Sequence, residues 1–181
     1  MLELKDYQCR ALDALKDYFL ECSSGGDANV AFYSSTLKTF GAGISYKPIA
    51  ELNNLPYVCL RMPTGGGKTL VACHAIEIAA KHLLYSENPL TLWLVPSNAI
   101  CKQTVDALKN REHPYRKALE NTQGPVTVLD VEEALSLNRS DLETTSTIVV
   151  STIQSFRVDD TLGRRVYRDS GYLMDHFCKE Y

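Results

Sequence analysis

The chain has 181 residues, of which 45% are hydrophobic and 23% charged, a composition typical of one globular domain with its own core. The net charge of −3 excludes a strongly basic nucleic-acid binder, although backbone amides and helix N-termini can still hold phosphates. The six cysteines form no C-x-x-C pair, which indicates reduced thiols. With no signal peptide and no run long enough for a membrane span, we expect a cytoplasmic protein.

The first predicted element is an amphipathic helix over residues 4–20. Its apolar positions recur at helical spacing: Leu4, Tyr7, Ala11, Leu12, Leu15 and Phe19. Gln8 lies on the same stripe, and a polar amide on an apolar face needs a partner. That partner is either a backbone group of the core or adenine, because one amide donates and accepts at once, as the N7 and N6 edge of adenine requires.

Residues 23–27 (Ser-Ser-Gly-Gly-Asp) predict a loop, because small and polar residues cluster there. Residues 30–55 show little periodicity and are the least interpretable part of the chain. Gly41-Ala42-Gly43 predicts a turn. We assign no chemistry to this region.

Residues 62–69 (Met-Pro-Thr-Gly-Gly-Gly-Lys-Thr) follow a short apolar run at residues 57–60 and precede a helical pattern over residues 70–84. Strand, glycine loop and helix together are the context of a phosphate-binding loop. Glycines let several N–H groups converge on one phosphate, and the helix N-terminus adds further donors. Thr64, Gly65, Gly66 and Gly67 are therefore predicted to bind a nucleotide. Lys68 would reach the β and γ phosphates and Thr69 would hold Mg²⁺, although Met62 stands where the general pattern has glycine.

Residues 90–95 are almost purely apolar and predict a strand of a parallel sheet covered on both faces. Pro96 ends that strand, and Ser97 or Asn98 would cap the next helix, which runs to Asn110. The carboxyl ends of parallel strands form the edge where open α/β folds bind ligands. Taken alone, the run favours an ordinary strand-to-helix junction, which is common in α/β proteins.

The remaining elements are shorter. A helical turn or two is predicted over residues 115–120, strands over residues 126–129 and 147–151, and a short helix over residues 131–137. The basic residues near position 111 read as a solvated face. Thr152 and Gln154 follow the last strand in a polar turn. Residues 157–181 predict a loop and then a helix from Ser170, and Asp175 lacks the apolar strand that a Walker B acid requires.

These motifs occur in the order found in superfamily 2 helicases, and the chain most resembles the Res subunit of type III restriction enzymes. Residues 4–8 (Leu-Lys-Asp-Tyr-Gln) resemble the Q motif, the glycine loop resembles motif I, and residues 95–104 resemble motif Ia. Residues 151–156 resemble a second phosphate-contacting loop. In such an enzyme Gln8 selects adenine, and Lys68 and Thr69 serve catalysis. The nucleic-acid contacts would be Pro96, Ser97, Gln103, Thr152 and Gln154.

The resemblance implies a RecA-like P-loop NTPase fold: a three-layer α/β architecture with a mostly parallel sheet, incomplete at the C-terminus. It implies ATP and Mg²⁺ as cofactors, double-stranded DNA as a partner held through its backbone, and a modification methyltransferase as a possible partner subunit. Because Walker B and the second RecA-like domain are missing, we expect a fragment that binds ATP better than it cleaves it. The strand predicted at residues 57–62 would then lack one neighbour, so self-association or marginal stability is expected.

Two other classes of protein remain open on the sequence. One is a P-loop kinase or metabolic ATPase that has no nucleic-acid partner. The other is a non-enzymatic nucleotide-binding remnant. Gln8 and residues 96–103 favour the helicase interpretation, because kinases of this kind have no need for either.

Overall fold

The computed structural model describes residues 3–25, 27–52 and 54–156. They fall into two compact units, Met1–Ser86 and Glu87–Tyr181, here called unit 1 and unit 2. The predicted loop and helix after residue 156, with Asp175, lie outside the described residues. In the described part of the chain, each helix is too short or too polar to cross a bilayer.

Unit 1 begins with helix α1, Asp6–Ser23, which starts two residues later and ends three residues later than predicted. Its buried face carries Leu12, Leu15, Tyr18 and Phe19, which agrees with the helical spacing of the apolar residues. The amide side chain of Gln8, in the first turn, accepts a hydrogen bond from the Lys5 backbone N–H. This contact closes the start of the helix, where backbone N–H groups otherwise lack partners.

Helix α2, Ala28–Phe40, lies in the region where the sequence shows little periodicity. Asp27 caps it by accepting from the Asn29 N–H, and Gly41 ends it with φ +72°. Its periodicity is hidden because small residues face inward and large apolar residues face outward. The buried positions are Ala28, Ala31, Ser35 and Thr36, whereas the exposed ones include Val30, Tyr33, Leu37 and Phe40.

Helix α3, Lys68–Ala79, continues as a short π-helical turn over Ala80–Leu84, which confirms the predicted helix after the glycine loop. The core of unit 1 forms where α1 and α2 meet, around Leu15, Tyr18, Phe19 and Ala31. Partly buried apolar residues of α3 and of residues 57–60 pack against this cluster. Burial of this apolar surface is the main favourable contribution to the stability of unit 1.

The strand predicted over residues 57–62 is wrong: these residues form no strand in the described structure. Val58 and Leu60 pack against the helical core while Tyr57 and Cys59 are exposed, the alternation of an extended segment. A strand also requires a ladder of backbone hydrogen bonds. Within the described residues of unit 1, only one isolated bridge, Ile49 to Leu52, has β pairing.

Unit 2 contains a three-stranded, all-parallel open sheet. Its strands are β1 (Leu90–Val95), β2 (Val126–Leu129) and β3 (Ser146–Thr152), in the spatial order β1-β3-β2. The three predicted strands are confirmed to within one residue at each end. The central strand β3 is almost entirely buried, with Ile148 and Val150 fully so.

Helices connect the three strands, as parallel pairing requires. They are α4 (Asn98–Lys109), α5 (Pro114–Gln123), α6 (Val131–Ala134) and α7 (Arg139–Thr144), and a 3₁₀ turn, Ile153–Phe156, follows β3. Arg116 is a buried residue of α5 and donates to the carbonyls of Leu108 in α4 and Val126 in β2. This mixture of helices around an all-parallel open sheet is consistent with an incomplete RecA-like α/β fold.

Candidate nucleotide site and sheet edge

The glycine loop of unit 1 is a tight turn with two left-handed glycines that leads directly into α3. Gly65 and Gly67 have φ +75° and +74°, a left-handed region that side chains with a Cβ disfavour. The Gly66 N–H donates to the Pro63 carbonyl at 3.0 Å, which closes a tight turn. Gly67 is the residue before α3, and no side chain caps that helix. Its first N–H groups therefore remain available to an anion, at the positive end of the helix dipole.

Lys68 opens α3 and folds back over the loop. Its Nζ donates to the backbone carbonyls of Pro63 at 2.9 Å and of Met62 at 3.3 Å, and the side chain is exposed. Both partners are neutral, whereas a phosphate would give a stronger charge-assisted bond. The ammonium group is thus held at the loop by contacts that a polyphosphate could replace.

Thr69 follows Lys68 and is half-buried. Its hydroxyl is the residue type that holds Mg²⁺ in phosphate loops. In the described residues, no group of three or more His, Cys, Asp and Glu side chains could hold a metal ion alone. In nucleotide sites Mg²⁺ is usually bound through few protein ligands together with water and substrate phosphates.

Gln8 lies against the glycine loop and is only 4% exposed. Its Nε2 donates to the Gly66 carbonyl at 2.8 Å, while its Oε1 accepts from Lys5. A Cβ on Gly67 would stand 2.5 Å from Nε2, so the amide packs directly on the loop. Each polar atom of the amide keeps one unused bonding position. The selection of adenine by Gln8 stays a prediction, and the Gly66 carbonyl is a backbone partner of the kind that the sequence left open as the alternative.

Tyr7 is a second residue of α1 at the loop. Its hydroxyl donates to the same Gly66 carbonyl at 3.0 Å. In the sequence Tyr7 belongs to the apolar stripe of α1, and nothing in its spacing marks its hydroxyl as functional. The signal that could have found it is its position beside Gln8, in the first turn of a helix that packs on α3.

The carboxyl edge of the sheet in unit 2 brings together two of the predicted contact segments. Val95 of β1 pairs with Thr152 of β3, so the residues that follow these two strands are neighbours at one edge. The exposed Ser97 hydroxyl caps α4 by accepting from the Ile100 N–H at 3.4 Å. Pro96 and Gln103 are exposed as well.

Thr152 and Gln154 have different environments at this edge. Thr152 is 2% exposed. Its hydroxyl lies 2.9 Å from the Ser155 hydroxyl and accepts from the Ser155 N–H, so it holds the 3₁₀ turn. Gln154 is exposed on that turn. A direct contact with nucleic acid is therefore open to Gln154 in this conformation, whereas Thr152 is covered.

Two cysteines next to these places are poor nucleophiles. Burial raises the pKa of the Cys73 thiol, inside α3, to about 12. Burial also raises the pKa of Cys101 in α4, with a further contribution from the nearby carboxylate of Asp130. Both thiols stay protonated near neutral pH, and only the thiolate is reactive.

A glycine loop that opens an uncapped helix and a parallel sheet whose carboxyl edge carries polar residues are both features expected of a phosphate-loop NTPase. The sequence model of one family, described as "Type III restriction enzyme, res subunit", matches residues 1–175. The chain belongs to this family, which is related to the superfamily 2 helicases. No curated protein and no solved structure gives a significant match.

Membership places the chain among ATPases of the helicase motor type. Proteins of this kind generally use ATP with Mg²⁺ and interact with nucleic acid. The glycine loop, the exposed lysine and the threonine in this chain fit that chemistry residue by residue.

Proposed function

We propose that the chain forms the ATP-binding part of a motor that couples ATP hydrolysis to movement along double-stranded DNA, as a Res subunit does. One observation carries the proposal: the loop at residues 62–69 opens α3 with two left-handed glycines, an uncapped N-terminus and Lys68. These features suit a polyphosphate chain, because backbone N–H groups and the Lys68 ammonium group lie at one place.

In this proposal the residues of the loop divide the work. The N–H groups of Gly65, Gly66 and Gly67 surround the β phosphate, and Lys68 leaves its carbonyl partners for the β and γ phosphates. Thr69 supplies a hydroxyl oxygen to Mg²⁺, which would neutralise charge on the same phosphates. Thr64 lines the loop ahead of the glycines. Lys68 and Thr69 are thereby the residues of this chain that act on the reacting phosphate.

Adenine selection is assigned to the unused donor and acceptor positions of Gln8. The Gln8 amide is already hydrogen-bonded to Lys5 and to Gly66, so the orientation of the amide is fixed before a base binds. Changing Gln8 to alanine should narrow the affinity gap between ATP and GTP by about 1–3 kcal/mol if two hydrogen bonds are lost. Equal competition by ATP and GTP in the unchanged protein would leave Gln8 with its loop contact alone.

DNA is assigned to the carboxyl edge of the sheet in unit 2. Ser97, Gln103 and Gln154 are exposed there and polar but uncharged, which suits hydrogen bonds to phosphate oxygens without reading of sequence. Pro96 ends β1 so that Ser97 stands beyond the strand, and Thr152 holds the turn that presents Gln154. A modification methyltransferase as partner subunit, self-association through unpaired surface, and a cytoplasmic location complete the proposal.

The nucleotide half is tested by titrating a fluorescent ATP analogue with Mg²⁺. Lys68→Ala should weaken binding by about 10- to 100-fold, because a charge-assisted hydrogen bond is lost. Lys47→Ala, an exposed lysine of the same unit outside the loop, is the matched control and should leave the affinity unchanged. Equal affinity in Lys68→Ala and the unchanged protein would refute the assignment.

The DNA half is tested separately with a fluorescent duplex at several salt concentrations. Gln154→Ala and Ser97→Ala should each weaken binding of unrelated duplexes by a similar factor, because backbone contacts carry no sequence information. Asn121→Ala, an exposed amide at the end of α5, serves as control. Unaltered DNA affinity in both edge variants, or no affinity in the unchanged chain, would remove DNA from the proposal and leave ATP binding intact.

A further inference from the structure

We infer that Tyr7 is a positioning residue of the nucleotide site: its hydroxyl, together with Gln8, sets the direction of the Gly66–Gly67 peptide so that the Gly67 N–H faces the phosphates. This inference rests on the proposed function and concerns the same loop. It gives α1 a role in phosphate binding that is independent of the base.

The geometry starts from one carbonyl oxygen. Gly66 O accepts from the Tyr7 hydroxyl at 3.0 Å and from Gln8 Nε2 at 2.8 Å. A carbonyl oxygen has two lone pairs, and both are used here. Two donors from adjacent positions of one helix therefore fix this oxygen from the side of α1.

The direction of the neighbouring N–H follows from the planar peptide bond. Gly66 C=O and Gly67 N–H belong to one trans peptide unit, so they point in opposite directions. With the carbonyl held toward Tyr7 and Gln8, the Gly67 N–H must point away from α1. Gly67 is the residue that precedes α3, where the donors for an anion are expected.

The two donors, Tyr7 and Gln8, here called the clamp, matter because the glycines of the loop can adopt several backbone conformations. Glycine adopts positive and negative φ with similar ease, so the peptides between Gly65 and Gly67 could turn over at little cost. The clamp, in contrast, is rigid. Gln8 is buried and is itself held at the Lys5 N–H, and α1 is anchored in the core of unit 1 through Leu15 and Phe19. The binding cost of ordering the loop is thereby met before the nucleotide arrives.

The inference separates Tyr7 from a residue that recognises the base. If Tyr7 acts on the Gly67 N–H, its loss must weaken every ligand that carries the polyphosphate, whatever its base. The test compares Tyr7→Phe with the unchanged full chain, using ATP, GTP and inorganic tripolyphosphate, each with Mg²⁺, in isothermal titration. We expect a loss of about three- to tenfold that is equal for the three ligands, the size of one hydrogen bond.

The matched control is Tyr33→Phe. Tyr33 is an exposed tyrosine of α2 in the same unit, and the change removes the same atom without touching the loop. A second readout follows the Gly67 amide signal in NMR spectra of the ¹⁵N-labelled, ligand-free protein. It should shift in Tyr7→Phe and stay in place in Tyr33→Phe, because the hydrogen bond to its own peptide unit is lost only in the former.

The outcomes are distinct. If the unchanged protein binds none of the three ligands, the proposed function fails and the role of Tyr7 fails with it. If it binds them and Tyr7→Phe binds equally well, only the inference is overturned. A loss confined to ATP would make Tyr7 a base contact and also overturn it. Thermal melts show at which temperatures Tyr7→Phe is fully folded. If the loss of ligand affinity disappears at those temperatures, it reflects unfolding, and the positioning role is overturned.

Discussion

Two short apolar segments of the molecule differ in their backbone pairing. Residues 57–62 (Tyr-Val-Cys-Leu-Arg-Met), here the pre-loop segment, lead into the glycine loop and α3 in unit 1. Strand β1 leads into the polar residues before α4 in unit 2. Strand β1 pairs along its whole length with β3. In the pre-loop segment, the Tyr57 N–H donates a hydrogen bond to the Tyr46 hydroxyl. No other backbone N–H of this segment donates a hydrogen bond within the described residues.

The difference teaches that alternation of side chains and pairing of backbone are separate properties. The pre-loop segment buries Val58 and Leu60 against helices and exposes Tyr57 and Cys59, so its side chains behave like those of a half-buried strand. Its backbone has no ladder partner among the described residues. Pairing is what makes an apolar run a strand, and pairing depends on a second segment elsewhere in the chain.

Hydrogen exchange should give the largest contrast between the two segments. Amides of the central strand, such as Ile148 and Val150, should exchange more slowly than those of Cys59 and Leu60 by a factor on the order of 10³ or more, because unpaired amides open without unfolding. Exchange measured by NMR or by mass spectrometry of short peptides resolves the two. Strong protection of the pre-loop segment would show that it has a ladder partner in solution, and the comparison would no longer hold.

Truncation of buried side chains should give the next largest contrast. Ile148→Ala in the fully buried centre of β3 should destabilise unit 2 by about 2–5 kcal/mol. Val58→Ala in the pre-loop segment should cost only about 1 kcal/mol, because that side chain is half-buried and the site can collapse. The two changes in the free energy of unfolding can be measured by urea unfolding, with amide hydrogen exchange reporting on each unit separately. Equal costs would mean that the pre-loop segment is as tightly enclosed as the sheet.

A third contrast compares a buried and an exposed cation of unit 2, Arg116 and Lys117. It is 7% exposed, donates to Leu108 O and Val126 O, and pairs with Glu120 at 2.8 Å. Arg116→Ala leaves these partners without a donor in the interior of unit 2, at a cost of about 1–3 kcal/mol. Its neighbour Lys117 pairs with exposed Glu112, and Lys117→Ala should cost less than about 0.5 kcal/mol. If the two variants melted alike, the buried contacts of Arg116 would not contribute to joining α4, α5 and β2.

The smallest expected effect is the loss of stability in acid when the carboxylate of Glu133 is protonated. Hydrogen bonding to Lys109, and then the Asp130 N–H, holds the pKa of Glu133 below its ordinary value of 4.5. A carboxylate with a lowered folded-state pKa contributes stability above that ordinary value, and the contribution is lost as the pH falls through the folded pKa. Because the side chain is 43% exposed, the loss should stay under about 1 kcal/mol.

Glu133→Gln tests this point in urea melts between about pH 3 and pH 7. The variant should be less stable than the unchanged protein near neutral pH, and the two should converge in acid. In unit 1 the hydrogen bond from Lys38 lowers the pKa of Glu21 in the same way, so Glu21→Gln is the parallel test in that unit. A gap that stays constant with pH would assign the effect to packing instead of charge.

The amino-acid sequence by itself determined the glycine loop, the helix that follows it, strands β1, β2 and β3, and the family. Each of these depends on residues close together in the chain, such as Gly65 to Thr69, whose spacing alone carries the signal. The sequence did not predict helix α2, because its large apolar residues face outward and hide the helical periodicity. The tertiary structure decided the strand order β1-β3-β2, the unpaired state of the pre-loop segment, and the contacts of Tyr7 and Gln8 with a carbonyl 58 to 59 residues away. These are choices between distant partners, and local periodicity does not record which distant group a side chain or a strand will meet.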